Sequence, residues 1–335
     1  MSGDAQTVGA LGERALIARL SARLAPPPPW VLVGPGDDAA VIEPGRSQAT
    51  VLTTDCLVEG VHFRRDWTPA SAIGHKALAV NLSDLAAMGA VPRALLLSLI
   101  LPPALPLADF DALLDGFLAL AAEARAPLVG GNVSASPGPL VLDVTAVGAG
   151  VPRKLLRRSG GRPGDELYVT GRLGAARAGL LMRRQGLQAV SDAEAECLAQ
   201  YERPAPRLQC GVGIARSGGA AAAIDLSDGL AEAARQLADA SGTGVVIDAD
   251  AVPIHPGAAL LAAPDDQGRS PAIEGGEDYE LLFAVRPRFK RRFLSAAARH
   301  RPLPVTLVGR LDHEPGAWLE RDGGRQPLPH GFSHF

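Results

Sequence analysis

Residues 149–165 read AGVPRKLLRRSGGRPGD, and no long helix or strand is expected to cross a stretch so rich in Gly, Pro and Arg. Apolar patterned segments lie on both sides of it. The chain is therefore expected to fold as two domains, 1–150 and 151–335. A length of 335 residues exceeds the usual size of one domain and agrees with that division.

Both halves mix helix and strand patterns. LGERALIARLSARL (11–24) repeats apolar residues at near-helical spacing until the prolines at 26–29 stop it. Three extended stretches follow, WVLV, AAVI and the β-branched ATVLTTD. PASAIGHKALAVNLSDLAAMGA (69–90) reads as a long Ala-rich helix ending at Gly89. A strand near 94–101, a helix near 107–124 and a strand near 140–147 complete the first half. In the second half ELYVTG opens another series, which includes AAAIDLSDGLAEAARQLADASGTGVVID, a strand, turn, helix and strand. No repeat of fixed period is present. The expected fold class is mixed α/β.

Composition excludes several classes. With 47% hydrophobic and 21% charged residues the chain has the balance of a globular protein with a sizeable core. A net charge of −3 gives no reason to expect nucleic acid or an anionic membrane as partner. The longest apolar run, ALLLSLILPPALPL, is too short to span a bilayer and is broken by prolines. Cys56, Cys197 and Cys210 lack metal-ligand spacing, and no secretory leader pattern opens the sequence. Free thiols and a cytoplasmic location are expected.

The acidic residues of interest recur at the ends of apolar runs beside Gly, Ser or Thr. They are Asp37 and Asp38 in GPGDDAAVI, Asp55 in VLTTDCLVEGVHF, Asp84 in AVNLSDLAAMGA, and Asp225 and Asp228 in AIDLSDGLAEAA. Carboxylate and hydroxyl oxygens are hard ligands, suited to magnesium shared with phosphates. Each acid also has a plainer role open to it: Asp228 as a helix cap, Asp37 and Asp38 as turn residues, Asp84 as a satisfied core carboxylate. Six acids repeating one context favour a metal site over six separate accidents.

Other segments point toward phosphate. In LVGGN (128–132) a strand runs into Gly130 and Gly131, where backbone N–H groups can approach an anion, although Gly-Gly-Asn also makes an ordinary turn. Arg153, Lys154, Arg157, Arg158 and Arg162 crowd the boundary; one of them can clamp a phosphate, while most such arginines are solvated surface. Neither a G-x-x-x-x-G-K-[ST] loop nor an H-R-D set is present. EGGEDYELLFAV (274–285) sets Glu277 and Asp278 between paired glycines and an apolar strand, a context that also suits a surface loop. His62 follows close after Asp55, where it can reach the same site or serve a structural role.

Taken together, GPGDDAAVI, TTDCLVEGVHF, KALAVNLSDLAAMGA, RSGGRPGDELYVTG, AIDLSDGLAEA and GGEDYELLF resemble the thiamine-monophosphate kinase family, in order and spacing, from about Gly34 to the terminal HGFSHF. The wider superfamily includes aminoimidazole ribonucleotide synthetase, selenophosphate synthetase and a hydrogenase-maturation dehydratase. The resemblance implies an N-terminal sheet domain that pairs with its twin in a homodimer, followed by a C-terminal α/β domain. It implies the reaction of ATP with thiamine monophosphate to give ADP and thiamine diphosphate. It implies that Asp38, Thr53, Thr54, Asp55, Asp84 and Asp225 hold magnesium ions with the ATP phosphates, and that Asp228 binds a further ion. Ser227 and Arg158 would contact ATP, beside the backbone of Gly131. His62, Glu277 and Phe332 would shape the thiamine phosphate site. Clustered magnesium also removes the repulsion between Asp37 and Asp38.

Two departures from the family pattern stand out. Asn132 occupies the place of the usual Asp after the paired glycines, so this metal or nucleotide ligand lacks its charge. Ser333 follows Phe332 where Asp is usual. The alternatives are another ATP-using member of the superfamily with a different acceptor, or a catalytically silent nucleotide-binding homologue. A nucleic-acid binder built on the 153–162 arginines fits the acidic balance least well.

Overall fold

The structure, a computed structural model, describes residues 6–34, 40–263, 266–300 and 302–332. The chain packs as two compact units, one made of Met1–Leu85 with Val91–Val151, the other of Ala86–Ala90 with Pro152–Phe335.

The first unit runs α1 (Val8–Leu11), α2 (Glu13–Ser21), β1 (Val31–Val33), β2 (Val41–Ile42), β3 (Ala49–Val58), α3 (Ala70–Ala87), β4 (Val91–Leu101), α4 (Leu107–Ala124), β5 (Leu128–Ala135) and β6 (Val141–Gly150). The helix expected over 11–24 is α2, and a further short helix, α1, precedes it across Gly12, which turns the chain at φ 80°. The main sheet has the order β3-β6-β4-β5, with β4 and β5 parallel and the other pairs antiparallel. Leu142, Val144 and Ala146 of β6 alternate with half-exposed neighbours, as a sheet with one covered face requires. A hydrogen bond from Thr53 to Asp84 puts α3 on that covered side. Helices α3 and α4 approach to backbone contact: a Cβ on Gly74 would lie 1.9 Å from the Leu113 carbonyl oxygen, and one on Gly116 would lie 1.8 Å from that of Ser71. Only glycine permits this crossing.

The opposite face of the sheet is covered at Val147 by Val31 of β1 and is otherwise open among the described residues. Its rows, read across β3, β6, β4 and β5, are Thr54–Thr145–Leu96–Gly130 and Cys56–Asp143–Ser98–Asn132. Leu52 on this face is 69% exposed and Leu96 37%.

The second unit runs β7 (Glu166–Thr170), α5 (Ala175–Gln185), α6 (Asp192–Glu202), α7 (Leu208–Ser217), β8 (Ala222–Asp225), α8 (Leu230–Ser241), β9 (Gly244–Asp248), α9 (Pro256–Leu261), α10 (Arg269–Glu274), β10 (Leu281–Val285), α11 (Lys290–Ala297), β11 (Val305–Asp312), β12 (Ala317–Arg321) and β13 (Gly324–Pro327). Its seven-stranded sheet has the order β13-β12-β9-β11-β7-β10-β8, antiparallel except where β12 meets β9. Leu167, Val169, Ile224, Leu282 and Ala284 pack with Leu230, Ala234 and Leu237 of α8. The alternate residues Tyr168, Ala223, Phe283 and Val285 pack with Ile214 of α7 and Phe293 of α11. Both faces of these central strands are covered, which explains why LLFAV reads as a continuous apolar run. The fold is mixed α/β. Among the described residues no helix is long and apolar enough to cross a membrane.

Candidate active site

Strand alternation sorts the TTD segment of β3. Thr53 and Asp55 share the face that α3 covers, and the Thr53 hydroxyl donates to the Asp84 carboxylate. Thr54 turns to the open face, where its hydroxyl donates to Asp143 Oδ1 at 3.0 Å and lies 3.3 Å from the Thr145 hydroxyl. The neighbouring threonines thus serve different acids. Partial burial, helped by the Asp143 and Asp55 charges, pushes the Cys56 thiol above its ordinary pKa. His62 accepts the Val58 N–H at Nδ1 (3.0 Å) and so closes the turn after β3. Asp38 lies outside the described residues.

Gly130 and Gly131 lie within β5 and form no turn. A Cβ on Gly131 would lie 1.9 Å from the Leu97 carbonyl oxygen, so the close approach of β4 accounts for the glycine. Asn132 is exposed and in register with Ser98, which is itself in register with Asp143.

In the second unit three segments that are remote in sequence meet. β8 ends at the buried Asp225, paired in register with Leu281. The Gly275–Tyr279 loop is stitched to the turn after β8: Glu277 N–H donates to Ser227 O (2.7 Å), Tyr279 N–H to Leu226 O (3.1 Å), and Leu226 N–H to Glu280 O (2.8 Å). The C-terminal segment closes on the same turn through Phe332 N–H and Asp228 O (3.1 Å), and Arg235 holds it at Leu328 O and Pro329 O. Ser227, Asp228, Glu277 and Phe332 are therefore neighbours. Helix α8 starts from Gly229 without a side-chain cap, so Asp228 is not its N-cap residue. Arg158 donates to Gln236 Oε1 on α8 (2.8 Å).

Beneath this loop lies a buried polar set of which the motifs marked only Asp278. Asp278, 2% exposed, accepts N–H groups from Gly174 (2.7 Å) and Ala176 (3.2 Å) at the start of α5. Burial raises its pKa to about 7 against the pull of those two bonds, and the Glu280 and Glu277 charges add to the rise. Glu280 takes a two-pronged contact from Arg207, through Nε (2.8 Å) and Nη2, and the Thr170 hydroxyl donates to it at 2.6 Å. GGEDYELLF drew attention to Glu277 and Asp278 but not to Glu280, and nothing in RPAPRLQC marked Arg207 as the partner of Glu280.

Among the described residues no three His, Cys, Asp or Glu side chains form a group ready to hold a metal. The donor chemistry at the end of β3 still suits magnesium, since Thr53, Asp55 and Asp84 offer only hard oxygens. Asn81, fully buried one turn before Asp84, has an Oδ1 with no hydrogen-bond partner among the described residues, an acceptor that a cation or a donor would satisfy.

Residues 36–150 match the family described as AIR synthase related protein, N-terminal domain, and residues 162–319 match the corresponding C-terminal domain. A thiamine-monophosphate kinase of Salmonella typhimurium is 39% identical over 97% of this chain and 99% of its own length. The crystal structure of thiamine-monophosphate kinase from Stenotrophomonas maltophilia superposes with a TM-score of 0.81 at 36% identity, covering 93% of this chain and 95% of that one. AaThiL complexed with AMPPCP and TMP gives a TM-score of 0.76 at 30% identity over 99% of this chain and 100% of that one. With similarity of this extent running through both units, the chain belongs to the thiamine-monophosphate kinase family.

Proposed function

We propose that this chain transfers the γ-phosphoryl group of ATP to the phosphate of thiamine monophosphate, giving ADP and thiamine diphosphate. The observation that carries this is the meeting of Ser227, Asp228, Glu277 and Phe332, residues assigned to nucleotide, metal and thiamine phosphate, in a chain similar throughout to such kinases. Solved relatives include one held with AMPPCP and TMP.

The acceptor is a phosphate oxygen already ionised at neutral pH, so no general base is required. Catalysis rests on positioning and charge neutralisation. Asp38, Thr53, Thr54, Asp55, Asp84, Asn132, Asp225 and Asp228 are the proposed magnesium ligands, and bound magnesium would offset the repulsion between two polyphosphates. Thr53 fixes one rotamer of Asp84 by its hydrogen bond. Arg158, Ser227 and the Gly131 backbone are proposed to contact ATP, while His62, Glu277 and Phe332 shape the thiamine phosphate site. The open face of the first sheet, with Leu52 and Leu96 exposed, is proposed to pair with its twin in a homodimer. The three free cysteines suit a reducing cytoplasm, where the enzyme is proposed to work.

The test is purified protein with ATP, magnesium and either thiamine or thiamine monophosphate, followed by product identification. Thiamine diphosphate is expected from the monophosphate alone. Equal turnover of free thiamine to a phosphate ester, or no turnover of the monophosphate, would overturn the proposal.

A further inference from the structure

The Gly275–Tyr279 loop holds an unfavourable backbone. Glu277 has φ 70° and Tyr279 φ 49°, so non-glycine residues in the left-handed region flank Asp278 on both sides. Such a conformation persists only where its surroundings fix it. The fixed point is Asp278, whose side chain is buried and bonded to Gly174 N–H and Ala176 N–H, while Gln200 Nε2 donates to its carbonyl oxygen (2.8 Å). Helix α5 has no side-chain cap of its own, since Gly174 stands at its N-cap. Asp278 supplies that cap from a loop about a hundred residues away, with a carboxylate at the positive end of the helix. One side chain thus satisfies a helix terminus and pins the middle of a strained loop.

Glu277 gains most from this. Its N–H is tied to Ser227 O and the Tyr279 N–H to Leu226 O, so the loop is docked on the turn after β8 while Asp278 fixes its middle. We infer that Asp278 is a positioning residue for thiamine monophosphate, holding Glu277 and its loop in the conformation that receives the substrate. The inference rests on the proposed role of Glu277 in the substrate site.

A double-mutant cycle tests it. Initial rates are measured for the native protein, Asp278→Asn, Glu277→Gln and the double variant, varying thiamine monophosphate at saturating ATP and then ATP at saturating acceptor. Asparagine keeps the shape and one acceptor oxygen; Asp278→Ser, which also keeps an oxygen, replaces it if the Asn protein does not fold. Asp278→Asn is expected to raise the KM for thiamine monophosphate about ten-fold, with the KM for ATP within about two-fold, and to add little in the Glu277→Gln background. Equal effects on both KM values, or effects that multiply in the double variant, would make Asp278 merely structural. An unchanged KM in Glu277→Gln would also end the inference while leaving the proposed reaction standing. The reaction itself fails only if the native protein does not convert the monophosphate.

Discussion

Replacing Arg207 by Met removes the charged partner of Glu280 while keeping much of the aliphatic volume. The Glu280 side chain is 2% exposed and the Arg207 side chain 23% exposed. After the substitution Glu280 retains the Thr170 hydroxyl but loses both guanidinium contacts, leaving a buried carboxylate with one donor in place of three. Breaking a buried pair from one side costs about 3–5 kcal/mol, and the partial exposure of the arginine argues for the lower end. At roughly 2–4 °C per kcal/mol for a unit of this size, the melting temperature should fall by roughly 6–12 °C. Because the fault is an uncompensated charge, Arg207→Met/Glu280→Gln should recover most of the loss. The assay is thermal unfolding by circular dichroism at pH 8 for the native, single and double variants. A single variant within about 1 kcal/mol of native, or a double variant less stable than the single, would refute the reasoning.

Asp84→Asn should nearly abolish phosphoryl transfer in a rate assay while the fold survives, because the amide oxygen can still accept from Thr53. Without metal this variant should melt slightly above native, and near-normal activity at low magnesium would make Asp84 structural. Asp278 has a folded-state pKa near 7, above the ordinary carboxylate value of about 3.9, so native stability should decline as pH rises through that window and level off above it. Melting curves of native protein and Asp278→Asn from pH 5 to 8 should therefore lose any native advantage toward pH 7; parallel curves would contradict the burial argument. Asn132→Asp should lower the magnesium concentration giving half-maximal rate at fixed ATP, and superimposable titrations would remove this position from the metal ligands.

Local patterning made much of the fold legible. The helix near 107–124 was readable because a proline precedes it and its apolar spacing is regular, and α4 occupies those residues. The strand near 94–101 grew to include Val91–Arg93, since Pro92 at its start still pairs in register with Gly148. Gly130 and Gly131 were ambiguous because sequence alone does not separate a Gly-Gly turn from a strand pressed against its neighbour. The Leu97 carbonyl decides for the strand. At the site, the motifs pointed to Ser227, Asp228, Glu277 and Phe332, but their meeting depends on backbone bonds between segments some 50 to 100 residues apart. The Arg207–Glu280–Thr170 set was invisible for the same reason, with partners at 170, 207 and 280 that no local period connects.

The contrast between Thr53 and Thr54 bears on the missing charge at Asn132. Side chains alternate along β3, so one threonine steadies Asp84 on the covered face and the next steadies Asp143 on the open face. Asn132 stands in the row of Asp143, with Ser98 between them, two strand spacings or about 10 Å across the sheet. The open face therefore already carries a carboxylate in register with the neutral residue, held by a hydroxyl from the segment that also serves Asp84. An ion near Asn132 would feel the Asp143 charge at that separation only weakly through water, about 0.4 kcal/mol per unit charge, and more strongly where the face is covered. Covering by a second sheet, as proposed for the homodimer, would raise the influence of Asp143 and reduce what Asn132→Asp can add. The magnesium gain from that substitution should accordingly be larger in a monomeric form, produced for instance by Leu52→Asp on the exposed face, than in the native assembly.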